Sequence, residues 1–260
     1  MSRLWIPFIV ATAATAAEAQ EGSLGARARW WRAELSGDLR ADGDRFPGTT
    51  IDVDNELGLD DRTEIPEIQA WLEFPFIGRI VAGYWWADVD GERTLTRSVT
   101  FEDITFSTSE RVDTELELDV FYAHYQFLFP SLPVGPEGEL QVGVLAGLRV
   151  VRAEASIDSS FRSVQDSGIV GLPVVGAGAA LELFGWLRAE AELLGLTFSY
   201  SDVESTYFEA SLELTSRFGP AFAGVGYKFA SADVTVDTGD DEFNADVELK
   251  GLYFTAGLRF

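Results

Sequence analysis

From about residue 25 onward, apolar residues alternate with polar or small ones in segments roughly ten residues long. A period of two is that of a strand, and ~9–11 residues is the length of a tilted strand crossing a bilayer. In 207–218, Phe208, Ala210, Leu212, Leu214, Ser216 and Phe218 form one face, and Tyr207, Glu209, Ser211, Glu213, Thr215 and Arg217 the other. In 139–150, Leu140, Val142, Val144, Ala146, Leu148 and Val150 oppose Glu139, Gln141, Arg149 and smaller residues, and in 187–197 the polar face carries Arg188, Glu190 and Glu192. The pattern predicts ten strands, with eight or twelve as the alternative counts, at about 25–39, 65–74, 79–90, 116–129, 139–152, 169–183, 186–199, 205–217, 221–234 and 247–260.

Short connections (75–78, 130–138, 184–185, 218–220), each with Gly or Pro, alternate with long ones (40–64, 91–115, 153–168, 200–204 with its flanks, 235–246). That is the plan of an all-β, closed, antiparallel transmembrane β-barrel with short periplasmic turns and long, acidic extracellular loops. Inside lipid every backbone N–H and C=O needs a partner within the protein, so the sheet must close. A soluble sandwich also alternates, so the even strand number, the polar loops and the chain ending decide between them. Past residue 91 alternation resumes, with Leu95, Val99, Phe101, Ile104 and Phe106 interleaved with Thr and Ser. It predicts a two-stranded flap standing above the outer leaflet.

Residues 1–20, MSRLWIPFIVATAATAAEAQ, have a basic Arg3, an uncharged apolar stretch and an Ala17-Glu18-Ala19 cleavage site, and read as a signal peptide covering 1–19. The barrel domain is then 20–260. No later segment has the ~20 apolar residues of a spanning helix. The chain has no cysteine, which excludes disulfides, thiolate nucleophiles and Cys-based metal centres. A net charge of -24 excludes nucleic acid as a partner, because phosphate binding needs Lys and Arg patches.

Three further segments complete the picture. They are the Asp-rich IDVDNELGLDD (51–61), TLTRSVTFEDITFS (94–107) and GYKFASADVTVD (226–237), followed by a last strand LKGLYFTAGLRF (249–260). With them the chain resembles a family of uncharacterised Gram-negative outer-membrane β-barrel proteins. Phe260, Leu258, Ala256 and Phe254 resemble the C-terminal signal such barrels present to the barrel-assembly machinery. The resemblance implies fold and an outer-membrane location, with no reaction and no catalytic residues. Where the pattern of that family has larger or basic residues inward on the sixth strand, this chain has Gly176, Gly178 and Ala180, which implies a roomier lumen.

Parity gives the expected lumen: Arg32 and Glu34; Glu67, Gln69 and Glu73; Tyr122, His124 and Gln126; Glu139, Gln141 and Arg149; Glu182, Arg188, Glu190 and Glu192; Glu209, Glu213 and Arg217; Lys228 and Arg259. Unpaired charge in a narrow interior is costly, so these residues are expected as a paired plug filling a small barrel, with an acidic, cation-favouring channel as the alternative. His124, the only histidine, is a candidate general base for a lipid- or peptide-hydrolysing enzyme, but it counts to the periplasmic half, away from outer-leaflet substrates. The acidic clusters Asp52, Asp54, Glu56, Asp60, Asp61 and Asp237, Asp240, Asp241, Glu242, Asp246 lack EF-hand spacing and are expected as solvated surface. Trp30, Trp31, Trp71, Trp85, Trp86 and Trp186 are expected in interfacial girdles. The expected protein is a monomer without metal, cofactor or catalysis, in contact with outer-membrane lipid and lipopolysaccharide. It is structural or a narrow conduit for small or apolar solutes. The alternatives are the His124 enzyme and an adhesion barrel docking through its loops.

Overall fold

The alternating segments pair edge to edge until the first meets the last. The computed structural model describes residues 23–41, 49–52, 62–74, 78–101, 104–160, 163–200, 203–237 and 242–260. The expected 1–19 leader and the LGLDD part of the first loop lie outside them. The strands are β1 (Ser23–Ala41), β2 (Ile51–Asp52), β3 (Arg62–Phe74), β4 (Gly78–Thr94), β5 (Val99–Phe101), β6 (Ile104–Phe106), β7 (Arg111–Leu128), β8 (Leu132–Pro133), β9 (Gly138–Ser159), β10 (Ser163–Leu183), β11 (Leu187–Tyr200), β12 (Val203–Phe218), β13 (Ala221–Asp237) and β14 (Glu242–Arg259). Ten of them form the wall, in the order β1-β3-β4-β7-β9-β10-β11-β12-β13-β14 and back to β1, all antiparallel. The seam between β14 and β1 runs from Gly25↔Arg259 to Ala41↔Phe243. Beyond it the Phe260 N–H donates to Leu24 O at 2.8 Å, and the Leu24 N–H to Phe260 O at 3.1 Å. The tight turn after β10 has Phe184 and Gly185 both at positive φ (56° and 68°), which suits the twist of the paired strands.

All ten expected strands are present, but most run further than expected. β9 has 22 residues and β10 has 21, twice what a bilayer requires. Most of 153–168, the flanks of 200–204 and most of 235–246, expected as loops, are paired strand. The backbone ladder continues because it needs no apolar face to persist.

One level divides the barrel. On the turn side of it the outward residues are apolar and exposed: Leu72, Ile80, Phe127, Val144, Leu212, Leu252 and Phe254 among them. Aromatic side chains mark the edge of this band, with Trp30 half-exposed and Tyr84 stacked on Trp86 (5.3 Å) and on Phe121 (4.3 Å). Above it the outward faces turn polar: Arg32 and Glu34 on β1, Asp88 and Asp90 on β4, Asp113 and Glu115 on β7. The inward faces invert at the same level. Arg27 and Arg29 give way to Trp31, Ala33 and Leu35 on β1, and Tyr122, His124 and Gln126 to Val120, Leu116 and Val112 on β7. The lower half is therefore a membrane barrel, apolar outside and polar inside, and the upper half has the plan of a soluble barrel, apolar inside and polar outside.

Leu212 lies within the apolar band at 61% exposure. Leu212→Arg places a cation in hydrocarbon and is expected to cost about 2–4 kcal/mol at mid-membrane depth, read from denaturant unfolding in lipid vesicles. Arg32→Ala, above the band, is expected to change stability by under about 0.5 kcal/mol.

Candidate functional site

The candidate site is the lumen. At mid-barrel, Glu67 (2% exposed) accepts from Arg29 at 3.0 Å, from Lys228 Nζ at 3.3 Å and from the Tyr122 hydroxyl. Glu213 accepts from Arg27 at 2.8 Å and Arg29 at 3.0 Å. Glu209 takes Arg149 at 2.8 Å, Lys228 at 3.6 Å and the Tyr207 hydroxyl. Toward the turn end, Glu190 is shared by Arg188 (2.7 Å), Arg27 (3.2 Å) and Arg79 (3.7 Å). Arg79 also reaches Glu192 at 3.8 Å and donates to Gln126 at 2.7 Å, and Arg259 meets Glu73 at 3.4 Å. Among the described residues, seven lumen cations (Arg27, Arg29, Arg79, Arg149, Arg188, Lys228, Arg259) thus face seven carboxylates (Glu67, Glu73, Glu182, Glu190, Glu192, Glu209, Glu213). The surplus of -24 lies elsewhere on the protein.

Aromatic rings complete this belt. Arg149 lies over Tyr122 (4.7 Å) and Tyr207 (5.5 Å), and Arg29 over Tyr253 (4.9 Å). Lys228 Nζ sits 5.1 Å from the Trp31 ring and 5.9 Å from Trp85, which meet edge to face. These two indoles begin the apolar layer above, with Ile65, Leu116, Val120, Ile157 and Leu249.

The hairpin of β5 and β6 closes that layer. Its apolar face, Leu95, Val99 and Phe106, is buried in the same cluster, beside Ile51 of β2. Thr49 N–H donates to Thr100 O at 2.9 Å and Arg97 to Thr50 O at 2.7 Å, tying it to the first loop. The expected free-standing flap is instead a stopper in the mouth, because its alternate apolar residues have a core to enter. Whether Leu57 and Leu59 follow lies outside the described residues.

Of the expected lumen residues, the structure brings Glu67, Gln69, Tyr122, His124, Gln126, Arg149, Glu190, Glu192, Glu209, Glu213 and Lys228 together inside, with Glu73, Glu182, Arg188 and Arg259 half-buried toward the turn end. Arg32 and Glu34 face outward instead, since they lie past the level where the faces invert. Glu139 and Arg217 are exposed at the turn end, where Ser131 bonds Glu139. Sequence reasoning missed Arg27, Arg29 and Arg79; the run Ala26-Arg27-Ala28-Arg29-Trp30 carried the signal. Trp31, Trp71 and Trp85, expected at the membrane interface, are buried in the lumen, while Trp30 and Trp186 are half-exposed outside. The room implied by Gly178 is occupied: a Cβ there would meet Gln126 Nε2 at 2.7 Å, and the cavity beside it measures about 10 Å³.

His124 is buried beside Tyr122, its Nε2 without a hydrogen-bond partner. Above the apolar band, carboxylates face each other across strands: Asp88↔Glu117↔Glu154, Glu92↔Asp113↔Asp158 and Asp233↔Asp246↔Asp38↔Asp52. Among the described residues no group of three or more acidic or His side chains is arranged to hold a metal ion.

No family model matches the chain, and no curated protein does. Solved structures do match. The outer-membrane protease OmpT from Escherichia coli is similar over 91% of this chain and 96% of its own, with TM-score 0.53 and 11% identity. Ail, the attachment invasion locus protein of Yersinia pestis, is similar over 93% of this chain and 100% of its own (TM-score 0.38, 10% identity). The translocator domain of the autotransporter NalP from Neisseria meningitidis is similar over 91% of this chain and 88% of its own (TM-score 0.40, 14% identity). At such identity the likeness to OmpT shows the fold: this chain is a closed ten-stranded barrel of the outer-membrane type.

Removing Glu67 leaves Lys228 and Arg29 short of a buried partner. Glu67→Ala is expected to destabilise by about 3–5 kcal/mol, measured by denaturant unfolding, whereas Glu64→Ala, outward and exposed, is near neutral. At the upper rim, burial and then the carboxylates of Asp233, Asp38 and Glu248 hold the Asp246 carboxyl above its ordinary value of 3.8. Its ionised form is thus disfavoured in the folded state. That penalty is present at neutral pH, fades as pH falls through the raised value, and is gone below the unfolded one. Asp246→Asn is expected to raise Tm by about 1 °C at pH 7 and low salt, with the gain vanishing near pH 3.5.

Proposed function

We propose that this chain is a closed, non-enzymatic barrel of the bacterial outer membrane, a monomeric structural element with its turn end in the periplasm and its acidic rim outside. The observation that carries the reading is the filled lumen: balanced ion pairs at mid-barrel under an apolar layer stoppered by the β5–β6 hairpin. A neutral, packed interior favours neither cations nor flow. A catalytic base at His124 would need a path for substrate, and His124 is buried beneath the apolar layer with the charged belt around it. The outward apolar face of Phe254, Ala256, Leu258 and Phe260 suits both lipid contact and recognition by the assembly machinery. The carboxylate rows above the band suit divalent ions shared with lipopolysaccharide phosphates.

A second reading, a narrow conduit for small apolar solutes, is favoured by one observation: the upper lumen is apolar and its stopper is a separate two-stranded sheet. Planar-bilayer recording separates these readings. The wild type is expected to be silent, and so is a variant lacking 94–107, because the ion-pair belt still closes the barrel. Cation-selective steps in the wild type would contradict the closed reading. Accelerated uptake of an apolar dye by vesicles bearing the deletion variant would favour the conduit.

A further inference from the structure

At the turn end the plug leaves a cavity of about 50 Å³. Five guanidiniums line it, those of Arg27, Arg79, Arg188, Arg217 and Arg259, against two carboxylates, Glu182 and Glu190. Both carboxylates are already engaged: Glu190 is shared by three arginines, and Glu182 meets Arg188 at 3.5 Å. Arg217 has no carboxylate partner among the described residues. Its Nε donates to the Gly219 carbonyl at 2.8 Å, which leaves the outer N–H groups of its fork for another acceptor.

Trp71 lines this cavity with its ring, while its indole N–H is buried out of reach of the space. The ring is held in place by Arg27 stacked over it at 5.7 Å and by Phe222 at 6.1 Å. The Thr215 hydroxyl is spoken for, donating to Arg188 O at 3.4 Å. Arg27, Arg79 and Arg259 also meet Glu213, Glu192 and Glu73, which do not line the cavity, so the wall itself carries more donors than acceptors and Arg217 is the cation outside the balanced set. At ~10–15 Å³ per water, the space holds three or four waters or one small oxygen-bearing group.

We propose that this vestibule binds a small oxyanion, a carboxylate or a phosphate, through Arg217 and its neighbouring guanidiniums. Planar, forked donors match such groups bidentately, which point-charge lysines do not. The proposal rests on the function proposed above only for the compartment that supplies the anion. The site itself is read in detergent, so that failure of either is distinguishable.

The test is isothermal titration of the full barrel, folded in a zwitterionic detergent, with inorganic phosphate at ionic strength held constant with chloride. A saturable 1:1 heat is expected, with Kd on the order of 1 mM. Arg217→Gln is expected to weaken it at least about fivefold. Arg152→Gln, on the outward face of β9 above the band, leaves it unchanged. Loss of the phosphate heat on adding phosphatidylglycerol to the micelles assigns the site to a lipid headgroup, and its persistence to a soluble anion. Absence of saturable heat from the wild type, or wild-type affinity in Arg217→Gln, would overturn the proposal.

Discussion

The structure is organised by the level at which lipid gives way to water. Below it a strand must show hydrocarbon to its surroundings and can afford polar groups only inside; above it the demand reverses. The same ten strands pass through both regimes, so every inward and outward face changes character at one height. Trp30 and Trp31 mark the crossing on β1: one is half-exposed at the edge of the apolar band, and the other is buried at the base of the apolar layer. Neither half needs a separate domain, because the backbone ladder is indifferent to what its side chains face.

The polar interior of the lower half creates the second constraint. Charges taken from water must be matched there, and among the described residues the buried belt pairs seven cations with seven carboxylates in a protein whose overall charge is -24. The matching is shared rather than paired off: Glu67 serves Arg29, Lys228 and Tyr122, and Glu190 serves three arginines. Such sharing locks the cross-section, since no single side chain can swing away without leaving a buried charge uncompensated. The acidic carboxylates across strands lie above the apolar band, where like charges meet solvent and are screened.

Most of the fold was legible in the sequence because alternation within the bilayer is enforced by lipid. The ten strands and the buried positions such as Glu67, Tyr122, Arg149, Glu209 and Lys228 followed from parity there, while Glu139 and Arg217 share that parity but lie exposed at the turn end. Parity failed where the rule itself inverts: Arg32 and Glu34 look like lumen residues to a reader who assumes one phase along β1, and Arg27 and Arg29 are overlooked for the same reason. The tryptophans misled similarly, since an indole suits either a membrane interface or the roof over a buried cation. Pairing partners could not be read at all, because Arg27 reaches Glu190 and Glu213 from far along the chain. Nor could the filling of the space beside Gly178 by Gln126, which depends on register between strands.

Because the chain lacks cysteine, single cysteines introduced at successive positions of β12 report directly on which solvent each face meets. Positions 208, 210, 212 and 214 are expected to be quenched by lipids with brominated chains when labelled, and positions 207, 209, 211 and 213 to resist both lipid and a membrane-impermeant maleimide. Rapid maleimide labelling at 209 and 213 in the intact barrel would show an open, water-filled lumen, and labelling of both sets from solution would show that no membrane surrounds the wall.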